Sequence, residues 1–212
     1  MILVGQYDSP FVRRVAVALR LYGFAYEHRP WSVWADSDKV ATFNPMRRVP
    51  TLVLDDGEVL IESAAILDAL DDMVGPQRAL LPAGGPDRRR GLKVCALSTG
   101  LADKAVSLVY EGLLHPDPSE TWIERCRGQI ADVLTALEQD RLRSSSAWWL
   151  GDSLGHPDIA AGCALQFCRE AHPDLFDAVR WPALAGHGDR CELLEPFKSA
   201  SQPFTMTLKA RD

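Results

Sequence analysis

Residues 49–66 read Val-Pro-Thr-Leu-Val-Leu-Asp-Asp-Gly-Glu-Val-Leu-Ile-Glu-Ser-Ala-Ala-Ile. Thr51–Leu54 and Glu58–Ile61 are short apolar runs, and Asp55-Asp56-Gly57 between them supplies a hairpin turn, because Asp-Gly tolerates the positive φ such turns need. The two strands are therefore antiparallel. Ile66, Leu67, Leu70, Met73 and Val74 then share one face of a helix that starts at Ser63 as its cap and is stopped by Gly75-Pro76. Upstream, Ile2-Leu3-Val4 is a strand. Phe11, Val15, Ala18, Leu19 and Tyr22 form a helical stripe ended by Gly23, and Ala25–Pro30 is a second strand. A helix between the first two strands favours a parallel right-handed crossover. The hairpin completes a mixed four-stranded sheet with flanking helices.

The Pro- and Gly-rich stretch from Gly75 to Pro86 marks a change of character. The expected division is an α/β domain over 1–75, a linker over 76–86 and an all-helical domain over 87–212. Leu92, Cys95, Thr99, Val106, Val109 and Leu113 mark one long helix, and Ile123, Cys126, Ile130, Val133, Leu134 and Leu137 another. These are expected to pack antiparallel across Pro116–Pro118. A further helix starts near His156, a terminal one follows Trp181-Pro182, and Trp148-Trp149 belongs to the helical core.

Of the 212 residues, 47% are hydrophobic and 25% charged, the profile of a globular protein. The net charge of −6 is shared about equally between residues 1–80 and the remainder. That balance argues against a nucleic-acid footprint or an anionic-membrane dock. The apolar runs are far short of the ~20 residues that span a bilayer, and Met1 leads into Ile2-Leu3-Val4 without a charged flank, so a cytoplasmic protein is expected. The five cysteines, the first at Cys95, contain no C-x-x-C pair, and the five histidines never fall at i, i+4, so no metal site is expected. The histidines read as solvated or locally bonded side chains.

Four pieces resemble the glutathione transferases: Ser9-Pro10-Phe11-Val12-Arg13, Asn44-Pro45 followed by Val49-Pro50-Thr51-Leu52, Glu62-Ser63-Ala64-Ala65-Ile66, and Pro157-Asp158-Ile159-Ala160. Their order and spacing over roughly 160 residues make a composite signal that no single piece provides. The resemblance implies a thioredoxin-like first domain, β-α-β, a linking α, then β-β-α, followed by an all-helical domain. Departures from the family pattern are Gly155 where Ser or Thr is usual, Arg47 where Gly is common, and Thr99 in place of an acidic residue. Gly155 still caps acceptably, Asp158 at N3 can bond back to exposed amides, and Leu154 and Ile159 retain the hydrophobic staple.

The implied co-substrate is glutathione, with no metal. Ser9 reads either as a structural cap with Pro10 at N1 or, from the resemblance, as the hydroxyl that donates to the glutathione sulfur. Tyr7 is the alternative donor. Val49-Pro50 is a turn or, in the family reading, a cis peptide that turns the Val49 amide and carbonyl toward the tripeptide backbone. Arg48 is a contact for the glycine carboxylate or a solvated loop arginine. Glu62 and Ser63 are implied partners of the γ-glutamyl ammonium and carboxylate.

Phe11, Trp34 and Tyr110 are candidates for an electrophile pocket, with core packing as the alternative for each. The implied assembly is a homodimer in which the long helices from Arg88 to Leu114 meet across a two-fold axis, with Asp103 of the partner substituting for the acidic residue replaced by Thr99. The expected activity is conjugation of small hydrophobic electrophiles, with glutathione-dependent isomerisation or dehalogenation as variants. The alternative is a non-catalytic binding or regulatory protein on the same scaffold.

Overall fold

The computed structural model describes residues 1–205 as two compact units. The first comprises Met1–Leu80 together with the described residues from Leu194 to 205, and the second Leu81–Leu193. The helical domain expected over 87–212 therefore loses its last segment to the first unit.

In the first unit, β1 (Ile2–Val4), α1 (Pro10–Tyr22), β2 (Glu27–Arg29), α2 (Ser37–Ala41), β3 (Thr51–Val53), β4 (Val59–Ile61) and α3 (Ser63–Val74) follow in order. The sheet order is β2-β1-β3-β4. β1 runs parallel to β2 with Leu3 opposite His28 and antiparallel to β3 with Leu3 opposite Leu52, while β3 and β4 form the hairpin. Leu3, Val12, Val15, Leu19, Leu52, Ile66 and Leu70 are fully buried, so the stripes of α1 and α3 meet each other over the sheet. Gly23 ends α1 in the left-handed conformation, where a residue without Cβ is unstrained.

Gly5, at the end of β1, has φ +126°, and a Cβ there would lie 2.5 Å from Val12 Cγ2 and 2.8 Å from Val49 Cβ. The first turn of α1 and the Val49 loop thus close on a backbone that admits no side chain. The start of α3 departs from expectation. Its cap is Glu62, at φ 65°, with no side-chain cap bond, and Ser63 is the first helical residue.

The chain re-enters this unit through α8 (Glu195–Lys198), a short helix not foreseen after the one at Pro182. Arg13, buried on α1, donates from Nε to Ala200 O (2.9 Å) and from Nη2 to Phe197 O (3.1 Å).

The second unit contains α4 (Gly85–Leu114), α5 (Glu120–Leu142), α6 (His156–Ala171) and α7 (Pro182–Glu192). α4 packs on both α5 and α6, and α7 packs on α5 and α6. The face of α4 buried within the unit carries Gly91, Val94, Cys95, Ser98, Leu101, Ala102, Ala105 and Leu108. Leu92 and Leu113, expected in that stripe, are 46% and 44% exposed, because small residues, not the largest ones, let α6 approach.

At the start of α6, Asp158 Oδ2 accepts from Gly155 N (2.9 Å) and Oδ1 accepts from Trp149 N (2.8 Å). His187 Nε2 lies 3.6 Å from Asp158 Oδ1, and the ring meets Trp149 edge-on at 4.8 Å. Of the histidines, read as solvated or locally bonded, His156 and His187 are buried and not solvated, and His187 keeps its local partners Asp158 and Cys191, while Trp149 is buried and Trp148 only partly so. Burial pushes the Asp158 carboxyl up to about 6 and His187 down to about 4. All five cysteines are buried thiols in this unit.

Candidate functional site

Glutathione was expected to meet Ser9, Arg48, Val49, Pro50, Glu62 and Ser63, and all six belong to the first unit. Ser9 is the N-cap of α1, extended at φ −69° and ψ 120°, and its Oγ accepts from Val12 N at 3.4 Å. The Gln6–Ser9 turn that presents it is closed by Ser9 N donating to Gln6 O at 3.2 Å. Pro10 at the first helical position removes one amide that would need a partner. The remaining first-turn amides and the helix macrodipole favour negative charge beside the Ser9 hydroxyl.

Tyr7 is placed differently. Its hydroxyl lies 2.9 Å from that of Tyr26 and receives Arg20 Nη2 at 3.5 Å, while its ring stacks on His28 with centroids 3.8 Å apart. Arg20 sits in the last turn of α1 and also bonds the Tyr26 hydroxyl. Burial raises the Tyr7 pKa against the opposing charge and hydrogen bond of Arg20, so the phenol stays protonated within this cluster.

The Val49-Pro50 bond is cis. Asn44, buried just upstream, donates from Nδ2 to Arg48 O (2.9 Å) and to Thr51 Oγ1 (3.3 Å), and accepts the Met46 amide (3.0 Å). One side chain therefore ties together both flanks of the loop that carries Val49. Its place in the Asn44-Pro45 motif was noted from sequence, but this role was not. Arg47, where Gly is common in the family pattern, takes φ 53° and is held by Nη1 contacts to Ser37 Oγ (3.1 Å) and Asp38 Oδ1 (2.6 Å).

Arg48 Nη1 meets Glu62 Oε1 at 3.2 Å, an ion pair with both side chains at least half exposed. Exposed pairs contribute little to stability, and both groups remain available to a charged ligand. Ser63 is buried, and Arg14 from α1 approaches its Oγ with Nη1 at 3.5 Å. Arg14 was not picked out from sequence; its only signal was a basic residue inside an apolar helical stripe. Glu62 at positive φ points the chain sharply into α3, a costly backbone state of the sort that clusters at ligand sites.

The proposed pocket residues are less concentrated. Phe11 is half-buried at the second position of α1, and Trp34 is 37% exposed in the turn before α2. Tyr110 and Asp103 lie on α4 in the other unit, Tyr110 half-buried and Asp103 exposed with its carboxylate 3.0 Å from Lys104 Nζ. Thr99 Oγ1 bonds back to Cys95 O at 3.0 Å. Among the described residues no group of His, Cys, Asp and Glu side chains is arranged to hold a metal, and no helix is long and apolar enough to cross a membrane.

Family models for the glutathione S-transferase N-terminal and C-terminal domains match residues 3–78 and 120–190 respectively. A maleylacetoacetate isomerase of Pseudomonas aeruginosa is 31% identical over 218 residues, covering 97% of this chain and 99% of that protein. The chain belongs to the glutathione S-transferase family. The Escherichia coli uncharacterized GST-like protein YibF is 34% identical over 140 residues, 65% of this chain and 68% of its own. A solved glutathione S-transferase of Methylobacterium radiotolerans, in complex with glutathione sulfonate, superposes with a TM-score of 0.90 at 28% identity, covering 100% of this chain and 98% of its own. Another, from Methylobacillus flagellatus with glutathione bound, gives 0.86 at 28% identity over 94% of this chain and 98% of its own. The four-stranded sheet and helical second unit are the glutathione transferase fold.

Proposed function

We propose that this chain is a serine-type glutathione transferase, binding glutathione on the first unit and using Ser9 to stabilise its thiolate. The observation that carries this reading is the placement of Ser9 at the start of α1, in the same unit as the cis Val49-Pro50 bond and the Arg48–Glu62 pair. Two relatives of 28% identity that share this fold hold glutathione or its sulfonate. Ser9 is favoured over Tyr7 because the Tyr7 hydroxyl is already engaged by Tyr26 and Arg20.

In this scheme Val49 pairs its amide and carbonyl with the extended tripeptide, and Pro50 fixes that edge. Arg48 takes the glycine carboxylate, Glu62 the γ-glutamyl ammonium, and Ser63 with the α3 amides the γ-glutamyl carboxylate. A free thiol with pKa ~8.5 is only a few per cent ionised at neutral pH. Lowering it by 1–2 units, roughly 1.4–2.7 kcal/mol of differential stabilisation, supplies most of the thiolate to be gained. The proton leaves to solvent and the Ser9 hydroxyl donates to the sulfur anion. Sulfur then forms its bond to an electrophilic carbon as the leaving group departs with its electron pair.

Phe11, Trp34 and Tyr110 are proposed to line the electrophile pocket, and a cytoplasmic homodimer, with Asp103 of the partner subunit near the γ-glutamyl ammonium, completes the proposal. The exposed Leu92 and Leu113 on α4 favour such an interface. Isomerisation is a second reading, favoured by the nearly full-length match to the Pseudomonas isomerase. It differs observably, because glutathione is regenerated.

Retention on immobilised glutathione followed by turnover with aryl halides, epoxides, peroxides and a cis-enediacid tests both. Turnover that consumes glutathione supports transfer, and turnover of the enediacid alone, with glutathione unconsumed, supports isomerisation. A chain that neither binds nor turns over is a non-catalytic member of the family.

A further inference from the structure

We propose that Gln202, from the segment that follows α8, is a positioning residue for Ser9. The inference rests on the Ser9 reading above. In the turn Gln6-Tyr7-Asp8-Ser9 the closing bond uses Gln6 O and Ser9 N, which leaves the Tyr7 amide directed outward and in need of an acceptor. Gln202 Oε1 supplies it at 3.2 Å, from 195 residues away in sequence. The segment that brings Gln202 there is itself secured on α1. Arg13 donates to Phe197 O and Ala200 O, and Arg20 donates to Ser199 Oγ (2.8 Å) and Ser199 O (2.9 Å).

Arg13 and Arg20 are seven residues apart, two helical turns, and so share one face of α1. The helix whose N-terminus carries Ser9 thus also carries the anchors of the strap that braces the turn before Ser9. Tyr7 is fixed on its other side by its stack on His28 and by Arg20 over its ring at 5.6 Å. Removing the Gln202 acceptor leaves one amide of that turn unpaired and frees the turn to shift. The Ser9 hydroxyl then loses alignment with the sulfur, although no group that touches glutathione has changed.

The test uses the full chain with Gln202→Met, which keeps the length of the side chain and removes the acceptor, alongside Gln202→Glu, which keeps an acceptor oxygen. Three quantities are read: hydrogen exchange at the Tyr7 amide, the titration of bound glutathione by thiolate absorbance, and kcat and KM for glutathione. In Gln202→Met the Tyr7 amide should exchange about tenfold faster, the bound thiol should titrate roughly 0.3–1 unit higher, and kcat should fall about two- to tenfold, the range set by one hydrogen bond, with little change in KM.

Gln202→Glu should restore the slow exchange, and Gln202→Met placed in a Ser9→Ala background should leave the thiol titration where Ser9→Ala alone puts it. Wild-type exchange and titration in Gln202→Met, while Ser9→Ala raises the thiol pKa, would overturn the positioning role and leave the Ser9 reading intact. An unchanged thiol pKa in Ser9→Ala removes the Ser9 reading, and this inference with it. Equal shifts from Gln202→Met with and without Ser9 would show that Gln202 acts by another route, and would also overturn the proposal.

Discussion

The starts of α1 and α3 lie in the same unit, yet they are built differently. α1 begins with a side-chain cap, Ser9, on extended backbone, followed by proline. α3 begins with Glu62 at φ 65° and no side-chain cap, so its carboxylate is left to pair with Arg48 at the surface. A cap hydroxyl that can rotate suits a single anionic atom such as sulfur, whereas an uncapped start with an acidic neighbour suits a ligand end that carries both signs of charge. The start of α6 in the helical unit is a third solution. Asp158 there spends both oxygens on backbone amides and is itself fully buried.

The largest expected effect separates the third start from the first two. Asp158→Ala leaves the Trp149 and Gly155 amides buried without acceptors, and should cost roughly 2–4 kcal/mol in denaturant unfolding. The thiol titration of whatever remains folded should not move.

His187 gives the next effect. Its folded pKa of about 4 lies below its ordinary value, so the unfolded chain binds the extra proton and His187 subtracts stability as pH falls from about 6.5 toward 4. Asp158, raised to about 6, acts in the opposite sense over about 4 to 6, because its folded form holds the proton more tightly. Thermal unfolding of His187→Phe against wild type isolates the first contribution. The wild type should lose more stability than the variant between pH 6.5 and 4.

At α3, Glu62→Gly removes both the strained backbone and the ammonium partner. Stability should rise by up to about 1 kcal/mol while KM for glutathione rises several-fold, measured by unfolding and by initial rates. Glu62→Gln, which keeps the strain, should raise KM without the gain in stability. The smallest effect is at Arg47. Because both substitutions lose the exposed Asp38 contact, Arg47→Gly should be more stable than Arg47→Ala by about 1 kcal/mol, the cost of φ 53° for a residue with a Cβ.

Much of the first unit was legible because local signals agree there. Asp55-Asp56-Gly57 fixes the hairpin, Ser9-Pro10 and Gly23 bound α1, and the apolar stripes of α1 and α3 face the core that they form. The cap of α3 was misplaced by one residue because a glutamate at positive φ leaves no mark in composition. Gly5 was overlooked for a similar reason, since only the approach of Val12 and Val49 shows why a side chain cannot stand there.

On α4 the periodicity identified the helix and the buried Cys95 but misjudged the two ends of the stripe, because Gly91, Ser98, Ala102 and Ala105 pack closely while Leu92 and Leu113 point outward. The return of the last segment depends on Arg13 and Arg20 bonding carbonyls and a hydroxyl 179 to 187 residues away, and no local pattern carries that information.

In the proposed scheme the Ser9 hydroxyl holds glutathione as its thiolate. That role is tested most directly by titrating the ultraviolet absorbance of bound glutathione in wild type and Ser9→Ala, with Tyr7→Phe beside them. In Ser9→Ala the thiol pKa should rise by 1 unit or more, turnover near neutral pH should fall about tenfold or more, and unfolding stability should drop by no more than about 1 kcal/mol, the value of a cap. Tyr7→Phe should leave the titration in place. A Ser9→Ala variant that titrates and turns over as wild type does, with the thiolate lost in Tyr7→Phe instead, would contradict it.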